Sequence, residues 1–192
     1  VDERAYRFLK WTAILLAVLW LGWSLYDSFL SERNPGDLQA LEADTLFEDG
    51  AYDRALESYR AALKENPEHI YALRGKALSL MQLGRNSEAL HAFDDLIARD
   101  PNFAGNYANR GILNDRMGRY REAIADYEHA LRLDPKIAEG PHWLIRFLRN
   151  QPEKPPGIAE RAAYLKAELA KPEGERVLRV PEVDAQQRPY KQ

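Results

Sequence analysis

Histidines and neighbouring carboxylates are the side chains here with the most capacity for acid–base or metal chemistry. The histidines are His69, His91, His129 and His142, scattered along the chain with no H-E-x-x-H arrangement among them. A catalytic zinc helix needs two imidazoles one turn apart, so no metal site is expected. Asp94-Asp95 and Glu48-Asp49 are adjacent carboxylates. Neighbours along a helix point apart, so they make poor acid/base pairs and read as solvated faces. The chain has no cysteine, which excludes disulfides, zinc–thiolate sites and cysteine nucleophiles. It also has no nucleophile elbow, P-loop or dinucleotide fingerprint. A net charge of −3 gives no basic footprint for nucleic acid. The expectation is a non-catalytic protein with no cofactor and no nucleic-acid partner.

The elements that carry these residues begin with an apolar segment. From Trp11 to Tyr26 no residue is charged, with Lys10 on one side and Asp27 on the other. Phe8, Leu9, Phe29 and Leu30 extend it to the roughly 20 residues a spanning helix needs. Trp11 at one end, with Trp23 and Tyr26 at the other, fits the two aromatic belts of a membrane span. The run lacks the small-residue pattern of a cleavage site, so an uncleaved anchor over 11–30 is expected. Arg4, Arg7 and Lys10 precede it and acidic residues follow. The positive-inside rule then puts 1–10 in the cytoplasm and the bulk of the chain on the opposite, periplasmic side. Ala13, Ala17 and Ser24 recur at helical spacing and, with Trp20, form the face expected to meet a membrane-embedded partner.

After a linker over 31–35 the sequence repeats itself. Pro67, Pro101 and Pro135 are 34 residues apart, as are Gly50, Gly84 and Gly118. Ala55, Ala89 and Ala123 keep the spacing, with Tyr59, Phe93 and Tyr127, and Ala43, Ala77 and Gly111. The apolar residues Ala55, Leu56, Tyr59, Ala62 and Leu63 fall at helical spacing, so each copy reads as two helices. Glycine suits the turn between them and proline ends the second. This period and pattern resemble the tetratricopeptide repeat over about 36–137, in copies 36–69, 70–103 and 104–137. The resemblance implies an all-α solenoid of three helix-turn-helix repeats plus capping helices, behind one N-terminal transmembrane helix.

It also implies a concave groove lined by the first helix of each copy. That places Phe47, Tyr71, Arg74, Leu78, Met81, Asn109, Ile112 and Arg116 in the groove. His142, Trp143 and Arg146 would join them from a partial fourth repeat. On this placement the groove is apolar in its middle and basic towards its carboxyl end, which suits a peptide with an acidic element. One subfamily clamps chaperone carboxyl termini with lysine, asparagine and arginine. Here Ala40 and Asp44 stand at the lysine and asparagine positions, so that function is not carried over.

Residues 138–171 read as the partial repeat, a proline-rich linker and a capping helix with Ile158, Ala162, Leu165 and Leu169 on one stripe. From 172 to 192 the chain reads as an extended tail, either disordered or laid along a partner. The sequence therefore predicts a membrane-anchored scaffold, an accessory or stabilising subunit of a membrane protein complex. The alternative is a periplasmic chaperone or assembly factor that binds client peptides. Its partners would be other proteins, through groove and tail, and the lipid bilayer.

Overall fold

The computed structural model describes residues 2–29, 34–139, 157–181 and 189–190. Eight α-helices and no strand occur among the described residues. Helix α1 runs Glu3–Phe29 and is longer than the uncharged run that marks it. Three helix pairs follow: α2 (Asp37–Glu48) with α3 (Tyr52–Glu65), α4 (Ile70–Gln82) with α5 (Asn86–Arg99), and α6 (Ala104–Arg116) with α7 (Tyr120–Leu133). The second helices begin at Tyr52, Asn86 and Tyr120 and end at Glu65, Arg99 and Leu133. Both ends therefore keep the 34-residue period read from the prolines.

The repeated residues act at the helix ends. Gly50, Gly84 and Gly118 have φ of 76°, 70° and 76°. Each lets the chain leave a first helix in the left-handed region, where a Cβ would be strained. In the first pair Gly50 N donates to Phe47 O and Ala51 N to Leu46 O, a double-bonded stop that satisfies two terminal carbonyls. The same pair of bonds recurs at Gly84–Arg85 and Gly118–Arg119. At the other stops, Asn66, Asp100 and Asp134 precede the prolines with φ of −138°, −134° and −140°. A following proline disfavours helical backbone there, so each second helix ends on schedule.

The pairs close on small residues. Ala43, Ala55, Ala77, Ala89 and Ala123 are fully buried, and so are the rings of Tyr59, Phe93 and Tyr127, with Tyr59 under Gly75 of the next pair and Tyr127 under Gly111 of its own. First helices pack on the next first helix, α2 on α4 and α4 on α6, so they share one side of the stack.

Beyond α7 the chain makes a 3-10 turn, Pro135–Glu139, and α8 (Ile158–Leu169) packs against α7. Ile158, Ala162 and Leu165 are buried beneath it, and Leu169 is half-buried. A second 3-10 turn, Glu173–Glu175, interrupts the segment expected to be extended from 172.

Candidate peptide-binding groove

The shared side of the first helices holds a cavity of about 430 Å³. Asp44, Thr45 and Glu48 of α2 form one wall, Tyr71, Arg74, Gly75 and Leu78 of α4 the centre, and Asn106 and Asn109 of α6 the other wall. Tyr59, Phe93 and Phe103 close the floor, and Tyr190 completes the lining.

The centre is built around Gly75. A Cβ there would lie 2.1 Å from Tyr59 Cζ, so only glycine lets the ring pass under α4. The Tyr59 hydroxyl then donates to Asp44 Oδ1 at 2.6 Å. Burial, the Asp44 bond and the charges of Asp44 and Glu48 together push that hydroxyl's pKa well above its ordinary value.

Arg74 Cζ lies 3.8 Å from the centroid of the Phe103 ring, and Nη2 donates to Asp100 Oδ2. Its Nε is buried and, among the described residues, without an acceptor. Buried donors are normally satisfied, so this one marks a position where a ligand oxygen would be welcome.

Asn109 is already engaged. Its Nδ2 donates to Tyr190 O at 2.9 Å, and its Oδ1 accepts from Tyr190 N at 2.7 Å. One primary amide carries both a donor and an acceptor, so it can stand in for one residue of a neighbouring strand. The contact reads backbone and not side chain. The Tyr190 ring packs against the core, and its hydroxyl accepts from the Ile158 backbone N–H at the start of α8. Burial raises the hydroxyl's pKa and that bond opposes the rise.

Residues 177–178 lie along α8. Arg161 Nη2 donates to Leu178 O at 3.0 Å, Tyr164 Oη to Val177 O at 2.6 Å, and Val177 N to Glu168 Oε2 at 2.8 Å. Arg179 Nη2 donates to Arg116 O at 2.8 Å, fixing the segment to the end of α6.

The groove residues named from the sequence fall into three groups. Tyr71, Arg74, Leu78 and Asn109 line the cavity. Phe47, Met81 and Ile112 are buried in the core, at 7%, 2% and 0% exposure, because they face the second helices. Arg116 is half-buried at the end of α6 and offers its carbonyl to Arg179. His142, Trp143 and Arg146 lie outside the described residues. On α1, Ala13, Ala17 and Trp20 are exposed and Ser24 is half-exposed.

The basic groups expected towards the carboxyl end of the groove include Arg146, which lies outside the described residues, while those in the described part are engaged. Arg74 is paired with Asp100, and Arg110 of α6 is bound to both Asp126 and Asp94. The cavity wall at α2 carries Asp44 and Glu48. Asp44, Glu48 and Arg74 are the charged residues of the described lining.

Two of the histidines, His69 and His129, serve structure. His69 caps α4, its Nδ1 accepting from Ala72 N at 3.3 Å while Nε2 meets Asp37 Oδ1 at 2.9 Å. His129 stacks on Tyr107 at 4.1 Å, and His91 is exposed. Among the described residues no group of three His, Cys, Asp or Glu could hold a metal ion.

Sequence profiles for the tetratricopeptide repeat match residues 40–106 and 107–137, together just over half of the chain. The chain belongs to the tetratricopeptide-repeat family. Curated relatives include Hsp70-Hsp90 organizing protein 3 of Arabidopsis thaliana, 31% identical over 93 residues, which are 48% of this chain and 17% of that protein. Another is Stress-induced-phosphoprotein 1 of Caenorhabditis elegans, 30% identical over 135 residues, 70% of this chain and 40% of the relative. The tetratricopeptide chain thus spans less than half the length of these relatives. Among solved structures, the first TPR of Spaghetti (RPAP3) bound to an HSP90 peptide superposes with a TM-score of 0.57 at 17% identity, covering 73% of this chain and 97% of that one. MamA from Desulfovibrio magneticus gives 0.52 at 20% identity, covering 71% and 75%. These likenesses establish the solenoid fold. As a tetratricopeptide protein the chain is a non-catalytic protein-interaction scaffold.

Proposed function

We propose that this scaffold is anchored in a membrane by α1 and serves as an accessory or stabilising subunit of a membrane protein complex. One observation carries the reading: α1 is long and apolar enough to span a bilayer, and none of that stretch is buried against the rest of the chain. Trp11, Leu15, Leu19, Trp20 and Trp23 are all more than half exposed. A continuous apolar surface of this size does not persist in water without a partner or a bilayer. At 1.5 Å per residue the helix is about 40 Å long, enough to cross a hydrocarbon layer of about 30 Å. Arg4, Arg7 and Lys10 favour a cytoplasmic start, with the solenoid on the opposite, periplasmic face. Ala13, Ala17, Trp20 and Ser24 would meet a membrane-embedded partner. Tethering then holds the groove at high effective concentration beside membrane proteins.

The test is purification of the full chain from its native membrane in mild detergent. Co-purifying protein at fixed stoichiometry is expected. A monomer that stays dispersed in detergent-free buffer with α1 intact would refute the anchored reading.

A second reading, a transient assembly factor for client peptides, is favoured by Asn109, which holds peptide backbone irrespective of sequence. It predicts partners in exchange and not in fixed ratio.

A further inference from the structure

We infer that the exposed stripe of α2, Leu38, Leu41 and Thr45, is the docking site for an amphipathic helix of another protein, one with lysine or arginine on both flanks of its apolar stripe. The inference rests on the subunit reading and deepens it, naming a surface outside the groove and the chemistry of its partner.

The stripe stands out when the three first helices are compared at the 34-residue period. Leu38, Leu41 and Thr45 fall at i, i+3 and i+7, on one face of α2. Their counterparts are Ala72, Gly75 and Ser79 in α4, and Asn106, Asn109 and Leu113 in α6. All of these counterparts are buried. Leu38 and Leu41 are instead 57% and 65% exposed, and Thr45 is exposed. The preceding second helix makes the difference. Gly75 lies under the Tyr59 ring of α3, and Asn106 Nδ2 donates to Asp100 O at the end of α5. No second helix precedes α2, and none of the apolar stretch of α1 is buried against the solenoid. At the other end of the stack α8 covers α7. One end of the solenoid is therefore capped and the other is open, although a terminal repeat needs a polar outer face.

The fold itself indicates the shape of the occupant, because what covers this stripe in the inner copies is an α-helix. The leucines are larger than Ala72 and Gly75, so the arriving helix stands further from α2 than α3 stands from α4. Charge selects among helices. Glu42 is exposed on the border of the stripe, and α2 carries no lysine or arginine along its whole length. A second copy would set Glu42 against its own like, and an anionic lipid surface would be repelled in the same way. A helix with basic flanks meets both the leucines and the acidic border. Position favours a neighbour in the same membrane. Asn34 follows the end of α1 at Phe29 by five residues, a reach of at most about 18 Å. The stripe thus starts close to the end of the anchor, where the tether keeps it beside the extramembrane parts of other subunits.

The experiment uses the full chain in its native membrane, with the photoreactive residue p-benzoylphenylalanine in place of Leu41. The control carries it in place of Leu133, which is exposed at the end of α7. Illumination should join position 41 to one other protein. Fragment mapping should place the bond in a segment with apolar residues at i, i+3 and i+7 and a lysine or arginine on each flank. Added to the position-41 chain, Leu38→Asp should lower the yield about tenfold and Glu42→Lys about fivefold. Both should leave urea unfolding unchanged, since both side chains are exposed. A bond to another copy of this chain, to lipid, or to a segment without flanking cations would each overturn the inference. So would a yield at position 41 no higher than at the control position, or one that neither variant lowers. Membrane retention is scored separately on the unilluminated chain, so loss of the anchor and loss of this site are read as different results.

Discussion

Arg161 and Asp115 form a two-pronged ion pair between α8 and the end of α6. Arg161 Nε lies 2.7 Å from Asp115 Oδ2, and Nη2 lies 2.8 Å from Oδ1. Their side chains are 5% and 4% exposed. Tyr127 Oη also donates to Asp115, and Arg161 reaches on to Leu178 O, so one pair joins the last repeat, the capping helix and the returning segment.

Breaking this pair from one side should be costly. Arg161→Met leaves a buried carboxylate with too few donors, a loss of about 3–5 kcal/mol. Replacing both partners, with Asp115→Leu and Arg161→Met together, removes the stranded charge and should recover much of that loss. Urea unfolding of the parent chain and the two variants, followed by helical circular dichroism, measures the difference. A single-variant loss below about 1 kcal/mol would show that the pair is not sealed from water.

Gly75 makes a different prediction, one of shape. Gly75→Ala places a methyl 2.1 Å from Tyr59 Cζ, and the ring cannot retreat because its hydroxyl is bonded to Asp44. Overpacking of this kind costs about 1–3 kcal/mol. Gly84→Ala meets no atom within 4 Å but must hold φ near +70°, so its loss of about 1 kcal/mol comes from the backbone alone. Tyr59→Leu should rescue the first variant and not the second. Rescue of both, or of neither, in urea midpoints would contradict this division.

The repeats were legible because each copy uses a given position for the same task. Gly50, Gly84 and Gly118 each end a first helix, and Ala55, Ala89 and Ala123 each sit at a close helix contact, so their types recur at fixed spacing. The wall of the groove was legible only in part. A first helix has one face towards the cavity and another towards its second helix, and both accept apolar residues. Tyr71 and Leu78 fall on one, Met81 and Ile112 on the other, and composition does not separate them. The pairing of Arg74 was hidden for a related reason: Asp100, which takes its guanidinium, comes from the end of another helix. The return of Tyr190 to Asn109 has no period and no motif, so nothing in the sequence announces it.

Glu168 should make the attachment of the returning segment depend on acid. Its carboxylate accepts from Lys171 Nζ and from the Val177 amide, and these two bonds hold its pKa below the ordinary glutamate value. A lowered folded-state pKa stabilises above the ordinary value of about 4.3 and loses that contribution as pH falls through the lower, folded one. The Val177 amide resonance should therefore move towards its unbonded position on acidification below that range. In Glu168→Gln it should show no such titration. A Val177 signal that is flat in the parent chain would remove Glu168 as the cause.

The last prediction concerns α1, whose apolar surface has no counterpart in the solenoid core. Leu16, at mid-helix, is 60% exposed, and Leu38 on α2 is 57% exposed. In water the two positions would respond alike to lysine. In a bilayer they would not, because a lysine at the centre of a span costs about 2.5–3.5 kcal/mol on the insertion scale, roughly a hundredfold in partition. Leu16→Lys should therefore shift the chain from the membrane pellet to the supernatant after alkaline extraction, while Leu38→Lys should leave it in the pellet. Both variants should keep the parent's solenoid unfolding transition, since neither side chain belongs to the core. If Leu16→Lys and Leu38→Lys partition identically, α1 is covered by protein and not by lipid, and the anchor must be given up in favour of a soluble partner on that helix.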